Sequence, residues 1–138
     1  MMRRRKQLLQ AEDGAGAIEF ALAVPVLVMF IYGTFVFGQV LEADAGMQNA
    51  LGQGARYATL CLNPTSTGSC TNPTDTQITT KVTGALFGPA SGITPTITTD
   101  TTAKTKTITL TYSQPMNFLF FTGPTVTFTR SKVVYYAV

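Results

Sequence analysis

Gly14-Ala15-Gly16-Ala17-Ile18-Glu19-Phe20 leads without a break into an apolar run from Ala21 to Val40. The stretch from Phe20 to Val40 holds 21 residues. At the helical rise this is ~31 Å, enough to cross a hydrocarbon core of about 30 Å. Its polar members are Tyr32, Thr34 and Gln39, with glycines at 33 and 38. Pro25 removes a helix hydrogen bond and is expected to kink or loosen the helix. Glu19 stands at the mouth of the segment, where a carboxylate needs a reason. A charge deep in hydrocarbon costs roughly 2.5–3.5 kcal/mol even on mild insertion scales. One reason would be cleavage after Gly14, which leaves a new amine on Ala15. Glu19 would then be fifth in the shortened chain, within reach of such an amine on a neighbouring copy.

Charge sets the expected topology. Arg3, Arg4, Arg5 and Lys6 precede the span, and no basic residue follows until Arg56. The positive-inside rule puts the N-terminus in the cytoplasm and the remainder outside the cytoplasmic membrane. Two other readings stay open on these residues. One is a plain single-pass anchor with Glu19 reaching to water. The other is a secretory signal cut after Ala43-Asp44-Ala45, which would release a domain starting at Gly46. The apolar stretch is longer than the ~7–15 residues usual for a signal h-region.

Gly14-Ala15-Gly16-Ala17-Ile18-Glu19-Phe20-Ala21-Leu22-Ala23-Val24-Pro25 resembles the start of the TadE-like minor pilins, or pseudopilins, of tight-adherence (Tad/Flp, type IVb) pili. The core Glu-Phe-Ala-Leu and the proline that follows carry the likeness. Gly54-Ala55-Arg56-Tyr57-Ala58 is similar to the family's pattern after the membrane segment. The match spans about residues 10 to 60. Ala15 stands where ordinary type IVa pilins and type II secretion pseudopilins favour phenylalanine.

The resemblance implies roles for individual residues. Gly14 and Ala15 would flank the bond cut by a prepilin peptidase, a membrane aspartic protease for which this chain is substrate and not enzyme. Glu19 would pair with the Ala15 amine of an adjacent pilin during assembly. A buried ion pair is tolerated only when paired and hydrogen-bonded, so it can set register. Phe20 would pack on a neighbouring helix, and Pro25 completes the assembly motif. The implied partners are the major Flp-type pilin, other minor pilins, the inner-membrane assembly platform and membrane lipid. The implied location is the bacterial cytoplasmic (inner) membrane, with incorporation into the extracellular pilus.

Composition fits an exported structural protein. The chain has 138 residues and a net charge of +3. Removing residues 1–14 takes away Arg3, Arg4, Arg5, Lys6, Glu12 and Asp13, and leaves six basic and five acidic residues. The basic excess is therefore a topology signal. No basic stripe interleaved with aromatics follows, so no nucleic-acid partner is expected. Histidine is absent. No Ser-His or Cys-His pair can form, and two cysteines alone cannot supply a usual zinc set. No catalytic residue, metal site or cofactor is expected. Cys61 and Cys70 bracket a turn-rich stretch and, in an oxidising compartment, are expected to form a disulfide.

The expected division is a basic leader over 1–14, a transmembrane and assembly helix over 15–41, and an extracytoplasmic pilin-like domain over 42–138. The helix is expected to continue to about Leu60, with Met47, Leu51, Ala55 and Ala58 near one face. Gly46, Gly52 and Gly54 suggest close approach of that helix to a neighbour. Asp75 to Phe87 reads as a short helix capped by Thr74 or Asp75, with Ile78, Val82, Ala85 and Leu86 inward. Asp75 and Asp100 read as turn or cap positions. Strands are expected over Ile93 to Asp100, broken or bent at Pro95, over Lys104 to Ser113, and over Val126 to Ala137. Ile108, Leu110 and Tyr112 alternate with threonines, which marks a half-buried strand. Met116-Asn117-Phe118-Leu119-Phe120-Phe121 reads as an apolar connection, tucked under the core or exposed to a partner. The fold class is α+β: a long N-terminal helix packed on a three-stranded antiparallel meander, with one short extra helix. The functional expectation is a minor pilin acting in assembly, priming or adhesion. The alternative is a permanently anchored envelope protein whose outer domain binds a ligand.

Overall fold

The computed structural model describes residues 13–62, 70–118 and 121–136. The leader expected over 1–14 lies outside them, apart from its last two residues. Among the described residues there are five elements and one 3-10 turn. Helix α1 spans Asp13–Ala58 and α2 spans Asp75–Ala85. A 3-10 turn covers Gly88–Ala90. Strands β1 (Thr96–Asp100), β2 (Thr105–Phe118) and β3 (Phe121–Tyr135) follow. The sheet order is β1-β2-β3 and both pairings are antiparallel. This is the expected α+β meander packed on a long helix.

Helix α1 is 46 residues long, ~69 Å at the helical rise, and runs through Pro25. Its two halves face different surroundings. From Ile18 to Leu41 most of the large apolar side chains are exposed, Phe20 and Phe30 at 71% and 70%, while Val36 is buried. Its most apolar 18-residue window has a mean hydropathy of 2.3 and is only 6% buried. From Ala43 onward the same helix supplies the core: Ala43, Met47, Ala50, Leu51, Ala55 and Ala58 are buried. Two environments therefore meet along one continuous helix, with Leu41 exposed and Ala43 buried. The Ala45–Gly46 bond, the junction at which a signal cleavage would fall, lies inside this core-forming part.

Two glycines let α2 and its tail approach α1. A Cβ on Gly54 would stand 2.3 Å from Cγ2 of Val82, and one on Gly46 would stand 2.7 Å from the carbonyl oxygen of Phe87. Gly52 has open space and plays no such part. Thr74 caps α2. Its hydroxyl accepts from the Gln77 amide at 3.3 Å, and the Gln77 side chain accepts from the Thr74 amide at 3.0 Å, a capping box. Ile78 and Val82 are fully buried. Leu86 is also buried, from the position just past the helix end.

The sheet closes the core from the other side. Ile108 and Leu110 are fully buried, Tyr112 nearly so, and its ring lies 5.4 Å from that of Phe128. Val134 continues the inward face of β3. Asp100 ends β1 as expected of a turn residue: its carboxylate accepts from the amides of Thr102 and Ala103 at 2.8 and 2.9 Å. β1 is shorter than expected. It begins only at Thr96, because Pro95 is buried and has no amide for the ladder.

The apolar connection expected at 116–121 is corrected. β2 runs on to Phe118 and β3 starts at Phe121, so most of that stretch is strand in a long hairpin. Leu119 and Phe120 lie outside the described residues. Pro115 is accommodated at a register shift between Pro115 and Asn117, on a part of β2 that β1 does not cover.

Candidate assembly site on the long helix

Glu19 lies on the exposed half of α1. Gly16 and Ala23, one turn before and one turn after, are small. With Phe20 they border a shallow groove beside the carboxylate. Residues at i−3 and i+4 share a helix face with i, so the sequence itself leaves this space. Gly14 and Gly16 have nothing within 4 Å of the Cβ position. A backbone with no side chain and no neighbours is open to approach by another helix or an enzyme. Phe20 is exposed beside Glu19, and Pro25 sits less than two turns further on. The arrangement is a carboxylate with lateral access on an otherwise apolar, uncovered helix surface.

The outer half of the molecule holds this helix in a fixed relation to the sheet. Arg130 donates from Nε to Oδ1 of Asp44 at 2.6 Å and from Nη2 to Oδ2 at 3.1 Å. Gln48 also donates to Asp44 Oδ2 at 2.8 Å. The Arg130 hydrogen bond, aided by Gln48, holds the Asp44 carboxyl below its ordinary value of 3.8 against a smaller opposing effect of burial. The same pairing raises Arg130. A second tie runs from Lys106 Nζ to Asp75 Oδ1 at 2.5 Å and to the Pro73 carbonyl at 3.4 Å. It fixes the start of α2 on the sheet. Burial pushes the Tyr112 phenol up, and its hydroxyl donates to Gln114 Oε1.

Cys61 and Cys70 form a disulfide with Cα atoms 5.3 Å apart. Leu62 donates to the Thr71 carbonyl at 2.9 Å beside it. The bridge fastens the chain as it leaves α1.

Sequence reading missed both ion pairs. Asp44 entered only within the Ala43-Asp44-Ala45 stretch, and Asp75 only as a turn or cap position. The signal for the first was present: Arg130 and Lys132 interrupt the inward apolar alternation of Val126, Phe128 and Val134. A charged residue on the face of a strand turned toward a helix asks for a counter-charge. Arg56 is exposed.

Fold and site together define a chain whose uncovered apolar helix, suited to membrane anchoring, grows directly out of the core of a small α+β domain. Residues 14–56 match the family model of TadE-like proteins, and it is to that family that this part of the chain is similar. The match ends two residues short of the end of α1. It contains Gly14, Glu19 and Pro25, and also Asp44, Gly46 and Gly54. No curated protein matches the chain, and no solved structure does.

Proposed function

We propose that this protein is a minor pilin of a tight-adherence type IVb pilus, cut after Gly14 by a prepilin peptidase and acting structurally in assembly, priming or adhesion. The observation that carries the reading is the five-residue spacing from Ala15 to Glu19 on an uncovered apolar helix, inside the family match. Before assembly the helix is a single-pass anchor in the cytoplasmic membrane, with its N-terminus inside and its folded domain outside. After cleavage, Glu19 pairs with the Ala15 amine of an adjacent subunit, and Phe20 packs against that subunit's helix. The chain itself is a substrate and a building block, with no reaction of its own. The major Flp-type pilin, other minor pilins and the assembly platform are its partners.

Intact mass and N-terminal sequence, taken from membranes and from sheared pili, test the reading. A start at Ala15, abolished by Gly14→Leu, is expected. A start at Met1 in both fractions would leave a permanent anchor whose outer domain serves some other partner. A start at Gly46 would require cutting α1 between Ala43 and Met47, both fully buried in the core, and would overturn the reading altogether.

A further inference from the structure

β3 is the last strand of the sheet, so among the described residues one of its edges has no strand beside it. The amide of Tyr136 donates to the Lys104 carbonyl at 3.2 Å. Antiparallel ladders alternate, and the register runs unbroken from there along β3 past Arg130. Tyr136, Val134 and Lys132 therefore turn their backbone groups to β2. Val133 and Tyr135 turn theirs outward, away from the sheet.

That edge borders a cleft. It holds about 630 Å³, within the range of ligand sites, and lies between β3 and α1. It meets Lys132, Val133, Val134 and Tyr135 in succession. Side chains of a strand alternate between its faces, so a space that meets four in a row follows the strand's edge. Opposite, Gln48, Gly52, Arg56 and Thr59 stand on successive turns of α1. Gly52 leaves the middle of that wall open, with nothing within 4 Å of its Cβ position. From Gln48 to Thr59 the wall is ~17 Å long, which matches about five residues of extended chain.

Charge decides what fits there. Arg56 and Lys132 are exposed and flank the cleft, and among the described residues no carboxylate lines it. By strand alternation Lys132 shares the helix-facing side of β3 with Arg130. Arg130 is paired with Asp44, and Lys106 on the neighbouring strand with Asp75, whereas Arg56 and Lys132 have no ion pair among the described residues. A lysine on an edge strand keeps like edges apart, and the same edge of a second copy would set these cations against their own kind. A segment that carries carboxylates meets no such barrier. On the outer face Val133 and Tyr135 are 55% and 74% exposed, and they offer apolar neighbours to the side chains in between.

We propose that this cleft is a docking site for an extended acidic segment of a partner protein, added to β3 as a further strand with its carboxylates beside Arg56 and Lys132. The outward backbone groups of Val133 and Tyr135 hold the segment, and the two cations select it. Alternate residues of the segment are acidic toward α1 and apolar toward the outer face. The site is independent of processing at Gly14 and of Glu19, which lie on the other half of α1.

The probe is a short peptide alternating glutamate and valine, with blocked ends and a fluorescent label, titrated into the full chain in mild non-ionic detergent. Saturable binding by anisotropy is expected, with the Val133 and Tyr135 amides gaining protection from hydrogen exchange. A peptide with glutamine for glutamate should bind about tenfold more weakly, and so should the parent peptide to Arg56→Gln/Lys132→Gln, as two exposed ion pairs allow. Gly52→Phe should fill the cleft and abolish binding, with a urea midpoint that shows the chain still folds. The charge variant changes only exposed side chains and keeps the test decisive if Gly52→Phe does not fold. No saturation at millimolar peptide overturns the proposal. Equal affinity for the glutamate and glutamine peptides, or unchanged binding in the charge variant or in a folded Gly52→Phe, does so too. Charge-dependent binding that leaves the Val133 and Tyr135 amides exchanging as before means that surface cations collect any polyanion, an acidic polysaccharide included, and overturns strand addition.

Discussion

Under the proposed function Glu19 and Gly14 would act at different steps, and single substitutions should separate them. Gly14 has open space around its Cα, so Gly14→Leu should leave the fold intact and block processing. Glu19→Ala should leave processing intact, because the carboxylate lies beyond the cut bond, and deplete the protein from sheared pili. Equal recovery of Glu19→Ala and the parent in pili, by quantitative immunoblot, would remove the assembly role. Asp44 offers a test by pH. Its folded-state pKa is depressed by Arg130, so its contribution is present above the ordinary value of 3.8 and is lost as pH falls through the lower folded value. Stability measured from neutral pH down into this acid range should fall more steeply in the parent than in Asp44→Asn. Parallel curves would mean that the pair contributes nothing. Such exposed pairs contribute little in general, so the effect expected is small, and its value is positional: it pins the hairpin against α1.

At the scale of elements, the three outer glycines of α1 divide sharply. Gly52 has open space, so Gly52→Ala should stabilise by about 1 kcal/mol through helix propensity alone. Gly54→Ala drives a methyl into Val82, and Gly46→Ala drives one into the backbone of Phe87. Each should cost about 1–3 kcal/mol in thermal or urea unfolding, with Gly46 the worse because a carbonyl cannot turn aside as a side chain can. The sequence made all three look alike; only the position of α2 tells them apart. Other elements were legible in advance for physical reasons. The period-two pattern of Ile108, Leu110 and Tyr112 is local, and so is the Thr74 cap with Gln77 three residues on. The hairpin end was not legible, because Leu119 and Phe120, which stand between the two strands, are not the glycine, asparagine or aspartate that usually announces a two-residue turn. The Asp44–Arg130 pair joins residues 86 apart in sequence, and no local pattern names such a partner. The disulfide was legible from its short spacing. Replacing both cysteines by serine should cost about 2–3 kcal/mol on loop-closure arguments, read as a lower urea midpoint.

At the scale of the whole molecule, the telling property is that one helix is both the apolar shaft and a wall of the domain. The candidate membrane segment and the core meet within two turns, between Val36 and Ala43. A pull on the shaft would then be transmitted to the domain without a linker to absorb it, as the proposed extraction of a subunit from a membrane would require. If the outer part were instead an independent domain on a tether, its stability would not depend on the helix before Gly46. A chain beginning at Phe35 keeps Val36, Ala43 and Asp44, whereas one beginning at Gly46 loses all three. Both should be compared in the same mild detergent with the disulfide intact. Losing the burial of Val36 and Ala43 should lower unfolding stability by about 2–4 kcal/mol. Equal urea midpoints would show that the shaft merely tethers the domain, and the mechanical coupling would then have to be abandoned while the cleavage site and Glu19 stood untouched. A large loss would mean that the same side chains that build the core also carry the load, which is the economy expected of a subunit drawn whole from bilayer to fibre.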